Sequence, residues 1–337
     1  MTIKDIAKEC GVGLGTVSRV VNDQAGVSVA TREKVQAVIK KYGFVLNQNA
    51  KLLKAQDRHT ISVLVKGSSS IWLNSLLECI QNRLLSSPYT VDVVFLDEYE
   101  NEALQACKIF YEWKPVGMIF LGGAPDVYKE DFEKVQIPCV IISNQAHSVD
   151  NENLSSVSTD DCDSSAYMAK YLLENGHTSI GIIGGDLKSS DLSRRRYDNF
   201  KKVLDDNGIA FDYKTQYSTA KYSFEGGAEA AKVLMQRSPK ITAIFTMSDV
   251  MAIGAIRSLK DMGYSVPEDV SITGFDGLDL SEYVCPRLTT IKQQKELLVQ
   301  QGIEVLLDGI ELHKQCEHIF VPFEFIEGES VRKLSNT

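Results

Sequence analysis

Two sets of residues in this 337-residue chain have the types and spacing to do chemistry. The first is LGTVSR at 14–19. Val17, Val20 and Val21 recur at helical spacing, so one helix face packs inward and leaves Thr16, Ser18 and Arg19 on the other. Arg19 can pair bidentately with guanine, Thr16 and Ser18 suit phosphate or base contacts, and Leu14 offers an apolar surface to a thymine methyl. Gly15 has no side chain with which to read anything. The second set lies in segments that follow short apolar runs: KGSSSIWLN at 66–74, SNQ at 143–145, GGDLKSSDLSRRRYDNF at 184–200, TMSD at 246–249 and GFDG at 274–277.

Other chemistries lack their motifs. The seven cysteines form no CxxC pair and the five histidines no HExxH or other ligand spacing, so neither a metal nor a disulfide role is expected. GGDLKSSDLSRRR has glycines after a strand but is neither GxGxxG nor GxxxxGK[ST], and no Ser/His/Asp set stands at a recognisable motif. An enzyme is not expected, nor a cofactor.

The elements that must hold these residues follow from composition and periodicity. With 44% hydrophobic and 24% charged residues the chain has the balance of a globular protein with room for two or three cores. No run reaches the roughly 18 apolar residues of a membrane span, and MTIKDIAKEC is charged where a signal peptide is apolar, so a cytoplasmic protein is expected. Residues 1–58 carry ten Lys/Arg against five acids, and the remainder 26 against 40. A basic head on an acidic body reads as a nucleic-acid-binding module attached to something with another job.

In the head, Thr2 and Asp5 resemble a capping box, and Ile3, Ile6, Ala7 and Cys10 make an apolar stripe. Gly11 and Gly13 break that helix. A second runs from Leu14 or Gly15 to Asn22, and a third starts near Ala30 or Thr31, buries Val35, Val38, Ile39 and Tyr42, and stops at Gly43. Three such helices form a helix-turn-helix unit, whose second helix enters the major groove. From residue 60 the texture alternates. Runs at 60–65, 91–96, 116–121, 139–143, 179–185, 241–246 and 270–276 read as buried parallel strands, with amphipathic helices between them, giving two successive α/β units. Ligands of such sheets bind at the carboxyl ends of the strands.

TIKDIAKECGVGLGTVSRVVND resembles the opening of the LacI/GalR family of bacterial transcription regulators. Val12, Thr16, Val17, Ser18, Arg19, Val20 and Asn22 match its pattern; Gly13 and Val21 depart from it. LNQNAKLLK at 46–54 is similar to the family's hinge, with Leu46 in place of proline and Lys51 in place of arginine. VSTDDCDSSAYMAKYLLENGHTSIGIIGG and VPEDVSITGFDGLDLSEYVCPRLTTIKQ are similar to its core, so the likeness covers nearly the whole chain.

The resemblance implies an N-terminal all-α, lambda-repressor-like helix-turn-helix domain at 1–45, a hinge at 46–58, and a two-lobed α/β effector domain of the periplasmic-binding-protein type I fold at 59–337. The first lobe is expected at about 59–158 and 288–318, the second at about 159–287 and 319–337. DNA contacts are expected from Thr2, Leu14, Gly15, Thr16, Ser18, Arg19 and Asn22, and in the hinge from Asn47, Ala50, Lys51, Leu53 and Lys54, with Leu53 wedged into the minor groove. Effector contacts are expected from Trp72, Asn144, Arg196, Tyr222, Ser248, Asp276 and Gln293. Planar donors and acceptors with an aromatic face suit a neutral sugar, while a purine, a phosphorylated sugar or a partner protein stays open. The implied partners are double-stranded DNA carrying a pseudo-palindromic operator, a small carbohydrate effector and a second copy of the chain. The tail FIEGESVRKLSNT is too short for a tetramerising heptad helix, so a homodimer is expected.

Overall fold

The structure, a computed structural model, describes residues 3–21, 26–42, 59–67, 70–97 and 100–334, and divides into two units, 1–58 and 59–337. Thr2, Asn22, Asn47, Ala50, Lys51, Leu53 and Lys54 lie outside the described residues.

In the first unit, α1 (Ile3–Cys10), α2 (Leu14–Val21) and α3 (Val29–Tyr42) enclose a small core of Ile6, Ala7, Cys10, Val17, Val20 and Val35. Gly11 takes φ +60°, a backbone region that side chains disfavour, and so allows the sharp turn in which Val12 N donates to the Ala7 carbonyl. The third helix begins at Val29, slightly ahead of the start read from the sequence, because Ser28 accepts from Thr31 N as its cap.

The second unit contains two sheets. The first lobe is built from β1 (Thr60–Lys66), α4 (Ile71–Leu84), β2 (Thr90–Leu96), α5 (Glu102–Trp113), β3 (Gly117–Leu121), α6 (Lys129–Phe132), β4 (Cys139–Ile142) and β5 (Leu154–Thr159). The chain then makes α7 (Asp161–Glu174), β6 (Ile180–Gly184), α8 (Asp191–Asp206), α9 (Tyr213–Gln216), β7 (Tyr217–Thr219), α10 (Phe224–Arg237), β8 (Ala243–Thr246), α11 (Asp249–Asp261), β9 (Ser271–Asp276), α12 (Leu280–Tyr283) and β10 (Thr289–Gln293). It crosses back through α13 (Lys295–Leu312) and β11 (His318–Val321), and ends in β12 (Phe323–Ile326). Strand order is β11-β5-β4-β3-β1-β2 in one sheet and β12-β10-β9-β8-β6-β7 in the other, parallel throughout except for the β10–β12 pair.

The two crossings back fall after Gln293 and after Val321, a few residues beyond the 288 and 318 read from the sequence. The cause is pairing. Thr289–Lys292 are in register with Thr273–Asp276 of β9, so LTTIK completes the second sheet before the chain leaves it. Leu298, Val299, Ile303 and Leu306 of α13 then pack with Ile61, Val63, Ile119 and Ile142 in the first lobe's core. Val250 and Leu278 of the second lobe join that same cluster. In the second lobe α10 and α11 cross very closely: a Cβ on Gly254 would stand 1.9 Å from the Phe224 carbonyl oxygen, and one on Gly227 2.1 Å from that of Met251. This crossing fixes α11, whose first residues face the crevice.

Candidate DNA face and effector crevice

On α2 the burial follows the expected split at Val17, Val20 and Arg19, while Val21, expected inward, is half-buried. Val17 and Val20 are buried, Leu14, Gly15 and Arg19 exposed, and Thr16 and Ser18 half-buried. Thr16 N and Val17 N donate to the Gly13 carbonyl, which starts the helix and presents its first turn outward.

In the second unit the polar residues gather at the strand ends. Asp160 caps α7, accepting from Cys162 N and Asp163 N, which turns its neighbour Asp161 inward. There Asp161 Oδ1 accepts from Arg196 Nε at 2.8 Å. Arg196 also donates through Nη1 to the Met247 carbonyl at 2.7 Å, and its guanidinium lies 3.4 Å from the ring centre of Phe275. It is only 2% exposed, so its charge is neutralised within the protein.

Asp276, the last residue of β9, takes φ 117°, a strained value for a residue with a Cβ. Its Oδ2 accepts from Ser248 Oγ at 2.8 Å and its Oδ1 from Gln293 Nε2 at 2.9 Å. Three of the sequence-derived positions therefore meet in one buried group. Asp249, next to Ser248, accepts from Thr290 Oγ1 at 2.6 Å and from Leu278 N at 2.7 Å. Burial, and then the neighbouring Asp276 charge, push the Asp249 carboxyl well up. Burial likewise raises Asp276, against the pull of Arg196, to about 6.

Tyr222 is half-buried and shares a hydrogen bond with Ser193 Oγ at 2.9 Å. From the first lobe, Trp72 Nε1 donates to Ser143 Oγ at 2.8 Å. Asn144 is 2% exposed, with Nδ2 on the Gly123 carbonyl and Oδ1 accepting from Gln145 N and from Arg195 Nη2. Arg195 comes from α8 in the second lobe, so Asn144 is a sequence-derived residue through which the lobes touch. The same arginine stands 3.4 Å from Asp126 Oδ2 and 3.8 Å from Asp161 Oδ2. Trp72 is 9% exposed within the first lobe's cluster, to which Val250 and Leu278 belong.

Sequence reading missed Arg195, Asp161 and Asp126, and passed over Asp249. The Arg194–Arg196 run held a signal for Arg195, because consecutive helix residues point about 100° apart and the arginines beside Arg196 must therefore face other groups. Among the described residues no His, Cys, Asp and Glu group could hold a metal ion. No described helix is long and apolar enough to cross a membrane.

Comparison with known proteins gives this arrangement a family. Residues 2–47 match the family described as "Bacterial regulatory proteins, lacI family", and residues 169–331 match the periplasmic binding protein-like domain. The "HTH-type transcriptional regulator MalR" of Clostridium butyricum is 34% identical over 334 residues, 98% of this chain and 99% of that one. The chain belongs to the lacI family of bacterial regulatory proteins. It is thus a DNA-binding transcriptional regulator. Among solved structures it is similar to the "transcriptional regulator CelR-cellobiose complex" (25% identity, TM-score 0.73, 98% and 99% of the two chains). It is also similar to a LacI family transcriptional regulator from Enterococcus faecium with bound ribose (27% identity, TM-score 0.69, 82% and 100%).

Proposed function

We propose that this regulator is a cytoplasmic homodimeric repressor whose grip on a pseudo-palindromic operator is set by an uncharged carbohydrate held between its two lobes. One observation carries the choice of ligand: every arginine of the 194–196 run already faces a carboxylate. Arg196 is bound to Asp161, Arg195 contacts Asn144, Asp126 and Asp161, and Arg194 donates to the Leu187 carbonyl and stands 3.7 Å from Asp191. A phosphorylated sugar would add anionic charge where Asp126, Asp161, Asp191, Asp249 and Asp276 already outnumber these cations. A neutral polyol instead finds carboxylates and amides for its hydroxyls and the rings of Tyr222 and Trp72 for its apolar face. The cellobiose and ribose complexes of similar proteins support the same class.

On the DNA, the major groove is assigned to Leu14, Gly15, Thr16, Ser18 and Arg19, together with Thr2 and Asn22. Leu53 opens a central step from the minor groove, flanked by Asn47, Ala50, Lys51 and Lys54. The effector acts by its differential affinity for two arrangements of the lobes, which order or release the hinge. A thermal-shift screen of neutral mono- and disaccharides, sugar phosphates and purines tests the ligand class. A ligand at about 100 times its Kd raises stability by about 2.7 kcal/mol. The expected hits are neutral sugars, lost in Asp276→Ala; a response confined to phosphates or purines overturns the reading.

A further inference from the structure

His59 is the first residue of the second unit, and through it the chain leaves that unit for the DNA-binding helices. It is well anchored. Its carbonyl accepts from Thr90 N at 2.8 Å, Thr60 Oγ1 shares a hydrogen bond with Thr90 Oγ1 at 2.9 Å, and the Thr60 carbonyl accepts from Val116 N at 2.9 Å. The His59 ring meets the ring of Tyr89 edge to face, with centres 5.8 Å apart. Tyr89 is 8% exposed in the first lobe's apolar cluster, and its hydroxyl donates to Glu311 Oε1 at 2.8 Å. Glu311 stands in the last turn of α13.

We propose that Tyr89 and Glu311 are positioning residues for sequence-specific DNA binding, pinning the chain's exit at His59 to the end of α13. A ring in a filled cluster needs no hydroxyl in order to pack, and phenylalanine would occupy the same space. The Tyr89 hydroxyl instead reaches a carboxylate at the surface, in a charge-assisted bond stronger than one between neutral groups. Through that bond the ring on which His59 leans is fixed to a helix of 18 residues, about 27 Å long. The helix begins two residues after Gln293, whose amide donates to Asp276 in the crevice. One element therefore runs from the crevice to the exit. A DNA-binding unit that departs from a fixed exit has less freedom to lose when it must seat on one sequence, whereas unspecific DNA accepts many seatings. The inference rests on the family's DNA-binding role and not on the choice of effector.

The test uses the full-length protein, a duplex that it selects from random DNA, and a shuffled duplex of the same composition. Tyr89→Phe removes only the hydroxyl. Glu311 is exposed, so its substitution spares the core: Glu311→Leu removes the acceptor, and Glu311→Gln makes the same change of charge but keeps an oxygen for Tyr89. Tyr89→Phe against the parent, and Glu311→Leu against Glu311→Gln, should each bind the selected duplex several-fold more weakly and the shuffled duplex equally. The double variant Tyr89→Phe with Glu311→Leu should lose no more than Glu311→Leu alone, because both break one bond. Glu304→Gln, which loosens the other ion pair between α13 and α4, made with Arg83, should keep the parent's preference for the selected duplex. The proposal is overturned if Tyr89→Phe and Glu311→Leu keep that preference, if their losses are equal on both duplexes, or if the losses add in the double variant. It is also overturned if Glu311→Gln or Glu304→Gln loses as much as Glu311→Leu.

Discussion

Arg196 and Phe275 are stacked, with the guanidinium 3.4 Å from the ring centre, and the same guanidinium is tied by its Nε to Asp161. The arginine is as much a strut of the second lobe as a wall of the crevice. Removing one partner of a buried pair leaves the other charge unmatched, at a cost of about 3–5 kcal/mol, whereas replacing both with apolar groups of similar volume can be neutral. Arg196→Ala is therefore expected to lower unfolding stability by about that amount, and Arg196→Met with Asp161→Leu to recover much of it. Urea denaturation of the two variants decides the matter; equal losses would show that the pair is not the cause.

Asp276 sets a second, pH-dependent expectation. Its carboxyl stands at about 6 when folded, above the ordinary value near 4, so the folded state carries a penalty that is complete above pH 6 and relieved as pH falls toward 4. Asp276→Asn removes the ionisation while Ser248 and Gln293 can reorient to meet the amide. Wild-type stability should rise by about 1.4 kcal/mol between pH 7.5 and pH 5 through this group, one pKa unit of the difference. The variant should lack that increment. Melting curves across the range would refute the assignment if both proteins showed the same slope.

Two glycines on helices should respond in opposite ways to a methyl group. A Cβ at Gly254 meets the Phe224 carbonyl at 1.9 Å, so Gly254→Ala must force α10 away from α11 and is expected to cost about 3 kcal/mol. At Gly15 a Cβ meets nothing within 4 Å, and alanine there should stabilise the first unit by about 0.5–1 kcal/mol. The Gly15 methyl also enters the reading face, so selection from random DNA should yield a changed preference at one position in each half-site. An unchanged selected sequence would remove Gly15 from that face.

Much of this was legible before any coordinates. Val17, Val20 and Val35 announced the small helical core, and runs such as TISVLV and CVIIS the buried strands, because a parallel strand covered on both faces must be apolar throughout. LSSVST at β5 and TTIKQ at β10 did not stand out. Several of their buried hydroxyls find tertiary partners, as when Thr290 donates to Asp249 and Ser156 pairs with His318 Nδ1, while Ser158 Oγ and Thr159 Oγ1 are buried without a hydrogen-bond partner. Strand-end reading reached the segments that hold Ser248 and Asp276, and the family resemblance added Gln293, which meets them in one buried group. What could not be read was which member of an adjacent set turns inward. Asp160 caps a helix while Asp161 binds Arg196, and Arg195 reaches the other lobe while Arg196 is sealed into its own. Those choices rest on cap geometry and helix rotation, which only the packed structure fixes.

The division of labour on DNA gives the last expectation. Arg19 is exposed on α2 and suited to a bidentate guanine contact, whereas the hinge leucine, Leu53, is assigned to a wedge that pays for kinked DNA with added protein contact. Arg19→Ala should relax preference at one base pair per half-site by about 1–3 kcal/mol and lower the salt slope little, because it reads an edge and not a phosphate. Leu53→Ala should weaken operator binding while sparing binding to random DNA, since lysines and arginines drive the latter by releasing counterions. Titrating both variants on operator and random DNA at several salt concentrations separates the two roles. Equal loss on both DNAs for Leu53→Ala would mean that the leucine supports the fold or the dimer instead of the bend.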